Sequence, residues 1–436
     1  GKGCWNMFKF EKFSKINKFS YLIILCVLIL CVSILVPSFA RFKNRNPLYD
    51  ISVWDGTVAN SYHSGSGTAS DPYIISNGSE LAYFSSMLKT NDYSDTYFTL
   101  SNDIVLNQGV FGYDLTTGVN YTAEGNTYYV EEYGNQLYDS IDRVNVAGTV
   151  NLFTALDGFK GIFNGDYHTI YGLYLTSSEE NLALFTNLEG DIENLYVSNS
   201  MVYGGNLTGG VVSNATNSSI SNVIFSGNVI GKDTPASKSI SNPLEDLSFT
   251  VTNDTKNEVV SLNLPVIEGM VTSKKISGKA LIEGDGVIQI NDTVVNGDFE
   301  IDLTSLQTLS ITYSSTSTAT FTLTDLTYQI DSSLSTSGGI VAVGHQVSLT
   351  NTVNKGYIYG STISGGLVGQ TNGCTISQSY NTGTIQSANL VAGIIGSIYQ
   401  SEQVNVSKTY HTGELIGTTV GGIVSIIDEN PGSIQI

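Results

Sequence analysis

Cysteine, proline and charge are all scarce in this chain of 436 residues, which has only 4 cysteines, 7 prolines and 13% charged side chains. Its arginines are Arg41, Arg45 and Arg143. The formal net charge is −20, so the surface repels the phosphates of nucleic acid and of anionic membranes, and neither partner is expected. Hydrophobic residues still make up 41% of the chain, which is enough for ordered cores and argues against global disorder.

Recognisable catalytic motifs are absent as well. The sequence contains no Ser-His-Asp set, no metal-spaced His/Cys cluster and no phosphate-binding loop. Glycoside hydrolysis needs two carboxylates across one bond, but residues 337–427 offer only Glu402 and Glu414, twelve residues apart and in different predicted strands. His168 is interpreted as a turn or core histidine. The sequence therefore predicts no catalytic residues.

The long hydrophobic run is confined to the N-terminus. Lysines after Met7 precede an apolar run over residues 21–36, and small residues over 37–40 fit a cleavage site. We predict a signal peptide over residues 1–40, with an uncleaved membrane anchor as the alternative. Both export the remainder, so the expected location is extracellular or the cell surface. Cleavage would leave Cys374 as the only cysteine, which excludes an internal disulfide, and we interpret it as a small core residue.

Glycine is abundant, at 45 residues, and much of it repeats. A phrase typified by Ser-Gly-Gly-Ile-Val recurs at steps of 27, 27 and 29 residues, and a second phrase follows it at steps of 27 and 30. The repeated glycines are Gly339, Gly366, Gly393 and Gly422 in the first phrase and Gly356, Gly383 and Gly413 in the second. Short β-branched runs with this period predict an all-β fold, a parallel β-helix with one coil per repeat.

Aligned coils place like residues in columns. The predicted columns are Val347, Cys374 and Val404; Leu349, Ile376 and Val406; Val353, Tyr380 and Tyr410; and the polar set Asn351, Gln378 and Lys408. Asparagine in such a column can bond the backbone of the neighbouring turn. Asn194 and Asn222 occupy the same place in earlier coils. We therefore predict coils over residues 151–236 and again over 333–436.

The repeat over residues 365–385, with its Gly-Gly-Leu-Val-Gly start and Asn-Thr-Gly-Thr-Ile end, resembles the GLUG motif of bacterial surface proteins. Residues 54–106 and 159–170 also look like segments of such proteins. The resemblance implies a right-handed parallel β-helix within a large exported, adhesin-like protein. It implies no catalytic residues.

Residues 41–150 are predicted to form an N-terminal cap. A helix is expected over residues 79–89 with Ser79 as its N-cap. Residues 107–150 form a tyrosine-rich insertion. Its tyrosines, which either stack on sugars or pack the insertion onto the coils, are Tyr113, Tyr121, Tyr128, Tyr129, Tyr133 and Tyr138.

Residues 243–332 interrupt the period and alternate strongly between apolar and polar side chains. About eight short strands with turn signals predict an inserted antiparallel β-sandwich. Acidic turns at residues 283–286 and 296–298 suit either calcium or ordinary turn chemistry, and no other cofactor is expected.

Two functions follow from these features. The first is a non-enzymatic surface protein, an adhesin or stalk that binds glycan or a host or partner protein through its insertions. The alternative is a polysaccharide lyase or glycoside hydrolase of the β-helix class. The missing acid pair favours the first.

Overall fold

The computed structural model describes residues 52–178, 181–232, 236–262, 270–303, 308–398, 403–427 and 433–436. The predicted signal segment and Glu402 lie outside these ranges. Within them the secondary structure is one helix and forty-one strands, and the helix is too short to cross a membrane. The chain is therefore all-β, as the sequence predicted.

The N-terminal elements are the helix and three short strands. They are β1 (Tyr73–Ile75), α1 (Gly78–Leu88), β2 (Tyr97–Leu100) and β3 (Ile104–Val105). The predicted N-cap Ser79 is wrong, because the cap is Asn77, whose extended backbone lets its Oδ1 accept from the Glu80 amide at 3.0 Å. Ser79 already lies in the first turn. Phe84 of α1 stacks on Phe98 at 4.3 Å and so covers the apolar interior at this end.

Five antiparallel strands then form a separate sheet, which we call the tyrosine sheet. They are β4 (Val110–Asp114), β5 (Gly118–Ala123), β6 (Asn126–Val130), β7 (Gln136–Asp139) and β8 (Asn145–Thr149), paired in chain order. The sheet begins and ends at one point of the coils, because Asn107 Nδ2 donates to the Asn151 carbonyl at 2.9 Å.

Coil strands follow. They are β9 (Ile162–Asn164), β10 (Thr169–Tyr171), β11 (Tyr174–Ser177), β12 (Phe185–Leu188), β13 (Asp191–Glu193), β14 (Tyr196–Gly204), β15 (Leu207–Gly209), β16 (Val212–Thr216), β17 (Ser219–Ser221) and β18 (Ile224–Ile230). All pair in parallel with the preceding or following coil.

Seven antiparallel strands make up the predicted insert. They are β19 (Ala236–Pro243), β20 (Leu247–Ser261), β21 (Met270–Glu283), β22 (Gly286–Ile290), β23 (Thr293–Val295), β24 (Gly297–Asp302) and β25 (Thr308–Leu334). Three of them have 14 residues or more, so the strands are fewer and longer than the alternation suggested. Long β25 pairs with β19 and β20 on one edge and with β21 and β22 on the other, around a core of its own.

The remaining coils complete the solenoid. Their strands are β26 (Thr336–Gly338), β27 (Val341–Thr350), β28 (Val353–Asn354), β29 (Tyr357–Gly360), β30 (Ile363–Gly365), β31 (Val368–Ser377), β32 (Tyr380–Asn381), β33 (Ile385–Ser387), β34 (Leu390–Ala392), β35 (Ile395–Ile398), β36 (Gln403–Ser407), β37 (Tyr410–His411), β38 (Leu415–Ile416), β39 (Thr419–Gly421), β40 (Val424–Ile427) and β41 (Ser433–Gln435).

The solenoid has three parallel sheets as walls. One runs from β1 to β40, a second from β3 to β37, and a third from β15 to β39. Because β1 and β2 pair in parallel with each other and β2 with β9, the coils begin at Tyr73, well before the predicted residue 151. The sequence hid this start because the tyrosine sheet separates Phe98 from its partner Phe163.

The predicted columns are confirmed. Val347 pairs with Cys374 and Cys374 with Val404, while Leu349 pairs with Ile376 and Ile376 with Val406. These columns are buried and form part of one continuous core. In the third column Tyr380 and Tyr410 lie outside the core and stack at 4.8 Å with an interplanar angle of 5°.

The polar column differs in its partners from the prediction. Asn194, Asn222 and Asn351 have left-handed φ values of 55°, 53° and 54°, a conformation that asparagine tolerates well. Their side chains bond one another rather than the turn backbone, with Asn222 Nδ2 on Asn194 Oδ1 at 2.8 Å and Asn351 Nδ2 on Asn222 Oδ1 at 2.7 Å. This row of side-chain hydrogen bonds therefore continues from the coil before the antiparallel insert to the coil after it.

The insert sits between two adjacent coils. Ile220 pairs with Leu349, although the insert lies between them in sequence. At the base of the insert, Ser335 Oγ donates to the Lys232 carbonyl at 3.0 Å. The coil before the insert thus pairs with the coil after it.

Candidate functional site

The tyrosine sheet packs on one wall of the solenoid. Successive coils present Tyr174, Met201, Tyr203 and Ile230 outward from β11, β14 and β18, and these apolar side chains are buried beneath the sheet. Phe111 stacks on Tyr174 at 5.2 Å. The Tyr174 hydroxyl donates to the Gly134 carbonyl at 2.7 Å, so its polar end is also satisfied. The sheet is therefore fastened to a rigid support.

The six predicted binding tyrosines divide between two faces. Strand alternation places five of them, and Tyr133 lies in the turn between β6 and β7. Four of them face the coils, namely Tyr113, Tyr121, Tyr128 and Tyr133. Tyr121 hydroxyl accepts from the Gly109 amide at 2.7 Å, and Tyr133 stacks on Tyr203 at 5.2 Å. These four tyrosines pack the insertion, which was one of the two alternatives open from the sequence.

The other two tyrosines lie on the opposite face, which we call the outer face. Tyr129 and Tyr138 pair across β6 and β7, with ring centroids 6.1 Å apart. The Arg143 guanidinium lies 3.8 Å from the centre of the Tyr129 ring. Arg143 also donates to the Thr117 carbonyl at 3.3 Å. Two part-exposed rings and a cation thus share one surface.

A groove runs along the edge of the tyrosine sheet where β4 meets the coils. Asn199 is the extra residue of a β-bulge in β14 and has a left-handed φ of 49°. Its Oδ1 accepts from the Phe111 amide at 3.2 Å and its Nδ2 donates to the Gly109 carbonyl. Asn228 Nδ2 donates to the Phe111 carbonyl at 3.2 Å. The two amides fasten β4 to the coils.

The groove is open to solvent and has a volume of about 360 Å³. Besides β4 and the two asparagines it is lined by Tyr171, Tyr357 and Lys355. Burial raises the pKa of both Tyr171 and Tyr357 above the ordinary tyrosine value, so both hydroxyls stay neutral at physiological pH. Tyr357 hydroxyl donates to Gln386 Oε1 at 2.9 Å.

His168 is a structural histidine, in agreement with its interpretation from the sequence. Its Nδ1 lies 3.2 Å from Asp103 Oδ1, and the same carboxylate oxygen accepts from the Thr169 amide at 2.8 Å. Both side chains are nearly buried. The pair ties β10 to the segment before β3.

A serine, a histidine and a glutamate meet at the start of α1, but not as a catalytic triad. Ser76 Oγ donates to Glu80 Oε2 at 2.8 Å, while His63 Nδ1 lies 3.5 Å from Ser76 Oγ and 3.6 Å from Glu80 Oε1. A triad needs the serine and the acid on opposite ring nitrogens. Here both approach Nδ1, so the histidine is not placed to relay a proton.

Of the two glutamates considered from the sequence, Glu414 lies within the described residues. Glu414 is exposed on a late coil, whereas Asp166 is exposed in a turn whose amide bonds Asn164 Oδ1 at 2.7 Å. Across the part of the chain that the structure describes, no three His, Cys, Asp or Glu side chains are grouped to hold a metal ion.

Cys374 lies in the core, as its column predicted. Its thiol is buried, and burial raises its pKa to about 12. A thiol in this environment is not a nucleophile at neutral pH.

Arg143, Asn199 and Lys355 had no part in the sequence-based site. Arg143 was visible as the one arginine beyond residue 45, and that rarity was the available signal. The sequence carried no signal for Asn199 or Lys355, because their positions beside the groove depend on a β-bulge and on the edge of the tyrosine sheet.

No family model matches the sequence, and no curated protein matches it. One similar solved structure is described as "a putative immunoglobulin A1 protease from Bacteroides ovatus". It is 16% identical, with a TM-score of 0.42, and the match covers 86% of this chain and 76% of that one.

Proposed function

We propose that this chain is a non-enzymatic, extracellular surface protein of the GLUG-motif kind that binds glycan through the outer face of its tyrosine sheet. The observation that carries the proposal is the grouping of Tyr129, Tyr138 and Arg143 on one part-exposed surface. Sugar rings present C–H faces that stack on aromatic side chains such as Tyr138, and the Arg143 guanidinium over Tyr129 supplies several hydrogen-bond donors next to them.

The contacts beneath the tyrosine sheet hold its outer face in place, which suits a binding surface. Four tyrosines of the same insertion pack against the coils, and two asparagines fasten its edge. Residues on a rigid scaffold keep their geometry without ordering on binding. The N-terminal targeting pattern supports export, and the acidic composition suits a soluble exterior domain.

A single site of this kind is weak. One aromatic contact contributes about 0.5–1.5 kcal/mol, so affinity near the millimolar range is expected for one sugar. Many copies on a surface raise the apparent affinity by avidity. The assay therefore needs multivalent display of the protein.

The test compares bead-displayed chain on a glycan array with two variants. Y129A/Y138A removes both outer rings, and Y410A removes an exposed tyrosine on a distant coil as the matched control. We expect array binding by the native chain and by Y410A, and its loss in Y129A/Y138A. Undiminished binding by Y129A/Y138A, or no array binding by the native chain, would contradict the proposal.

A further inference from the structure

The groove contains one charged side chain, Lys355, that takes no part in the hydrogen bonds between the tyrosine sheet and the coils. Asn199 and Asn228 direct their amides to β4. Lys355 is exposed and lines the same groove, and its ammonium has no hydrogen-bond or ion-pair partner among the described residues. A cation without a partner is available to a ligand.

This positive charge is local. Phe225, Asn354 and Asn381 pair in register on successive coils, so the residues that follow them occupy one column. That column reads Ser226, Lys355, Thr382, and therefore holds a single cation rather than a basic stripe. A protein with a net charge of −20 repels a polyanion at long range, but one ammonium can still pair with one carboxylate at contact.

The rest of the groove suits a small polar ring. Tyr171 and Tyr357 line the groove and have neutral hydroxyls, and Ser226 and Asn228 contribute further polar atoms. A volume of about 360 Å³ is at the lower end of the range for small-molecule sites. This size fits one or two sugar units.

We propose that the groove binds a carboxylate-bearing sugar unit, with its carboxylate on the Lys355 ammonium and its ring against Tyr171 and Tyr357. The inference rests on the proposed glycan-binding function, because it assigns a second contact to the same class of ligand. It adds a carboxylate contact at Lys355 to the contacts that Tyr129, Tyr138 and Arg143 offer on the outer face.

The test uses hexuronate oligosaccharides and the same oligosaccharides with methyl-esterified carboxylates. These probes differ in charge but hardly in shape. Titrations with the native chain are compared with K355Q and with K408Q, which removes an exposed lysine from another column. We expect the native chain and K408Q to bind the free acid roughly tenfold more tightly than the ester, and K355Q to bind both equally.

Equal binding of acid and ester by the native chain, or loss of the preference in K408Q as much as in K355Q, would overturn the inference. Y129A/Y138A separates this result from the proposed function. If that variant loses glycan binding while acid and ester bind the native chain equally, the acidic selectivity is refuted and the outer-face proposal stands. A native chain that binds neither probe and leaves the array blank would refute both.

Discussion

At the residue scale, the repeated glycines are explained by distance between coils rather than by turn geometry. A Cβ at Gly366 would lie 2.0 Å from the Gly393 carbonyl oxygen, and one at Gly383 would lie 1.8 Å from the Gly356 oxygen. Neither residue has a positive φ. Backbones of adjacent coils approach so closely that only hydrogen fits, which is why these positions recur in the sequence.

This packing predicts different effects at two equivalent repeat positions. Gly366→Ala places a methyl group against the backbone of the next coil, which cannot move without shifting that coil. We therefore expect the free energy of unfolding to fall by about 1–3 kcal/mol or more. Gly422→Ala occupies the same place in a later coil, where a Cβ meets nothing within 4 Å, and should change stability by less than about 0.5 kcal/mol. Thermal denaturation of both variants measures the difference. Equal losses would contradict the close-approach explanation.

A buried side-chain ladder gives the chain a pH dependence. Asn354 Nδ2 donates to Asn381 Oδ1 at 2.6 Å, and Asn381 Nδ2 lies 2.7 Å from His411 Nδ1. Burial lowers the pKa of His411 below its ordinary value, so the folded chain favours neutral imidazole. The Nε2 atom has no partner in the described part of the chain.

The direction of this pH dependence of stability follows from protonation of His411 in the unfolded chain. As pH falls below the ordinary histidine value of about 6.5, the unfolded state takes up a proton that folded His411 resists. Stability from neutral His411 is therefore present above that pH and is lost below it. His411→Asn keeps a ladder residue without titration and should show a smaller fall in melting temperature between pH 7.5 and 5. H63Q, at an exposed histidine, is the control, and an unchanged pH profile in His411→Asn would contradict the prediction.

At the element scale, the N-cap of α1 differs between the sequence prediction, Ser79, and the structure, Asn77. Asn77→Ala removes the acceptor of the Glu80 amide and should destabilise the helix by about 1 kcal/mol. Ser79→Ala removes a hydroxyl that only meets Thr57 at 2.9 Å, so a smaller effect is expected. Amide hydrogen exchange over α1 measures both. Faster exchange in Ser79→Ala than in Asn77→Ala would restore Ser79 as the cap.

The two insertions are elements of different kinds. The antiparallel insert buries its apolar side chains in its own core. The tyrosine sheet instead shares a core with the coils, including Tyr174, Met201 and Ile230. One insertion is therefore separable from the solenoid, and the other is part of its surface.

At the scale of the whole molecule, this difference predicts two outcomes of deletion. Replacing residues 233–334 with a short glycine-serine linker should leave the coils folded, because Lys232 and Ser335 already meet and Ile220 already pairs with Leu349. Removing residues 109–149 should cost several kcal/mol, at about 1.5–3 kcal/mol for each large apolar side chain exposed. Circular dichroism during heating measures both. Equal destabilisation by the two deletions would contradict the separate-core description.

The sequence alone determined the period, the columns and the position of the antiparallel insert, because a solenoid repeats its local environment and each coil imposes the same steric demand. Gly366 against Gly393 and Leu349 on Ile376 are consequences of that repetition. The cap at Asn77 was missed because Ser79, two residues away, has equal intrinsic propensity, and only the backbone path selects between them.

What only the tertiary structure decided is the candidate site. No feature of the sequence distinguishes Tyr121 from Tyr129, yet Tyr121 packs on the coils and Tyr129 lies on the outer face. The division depends on strand register and on which face of the tyrosine sheet meets Tyr174. Lys355 and Asn199 are more than 150 residues apart and line one groove only because a β-bulge and a coil edge bring them together. Contacts between non-repeating elements have no period, so no pattern along the chain announces them.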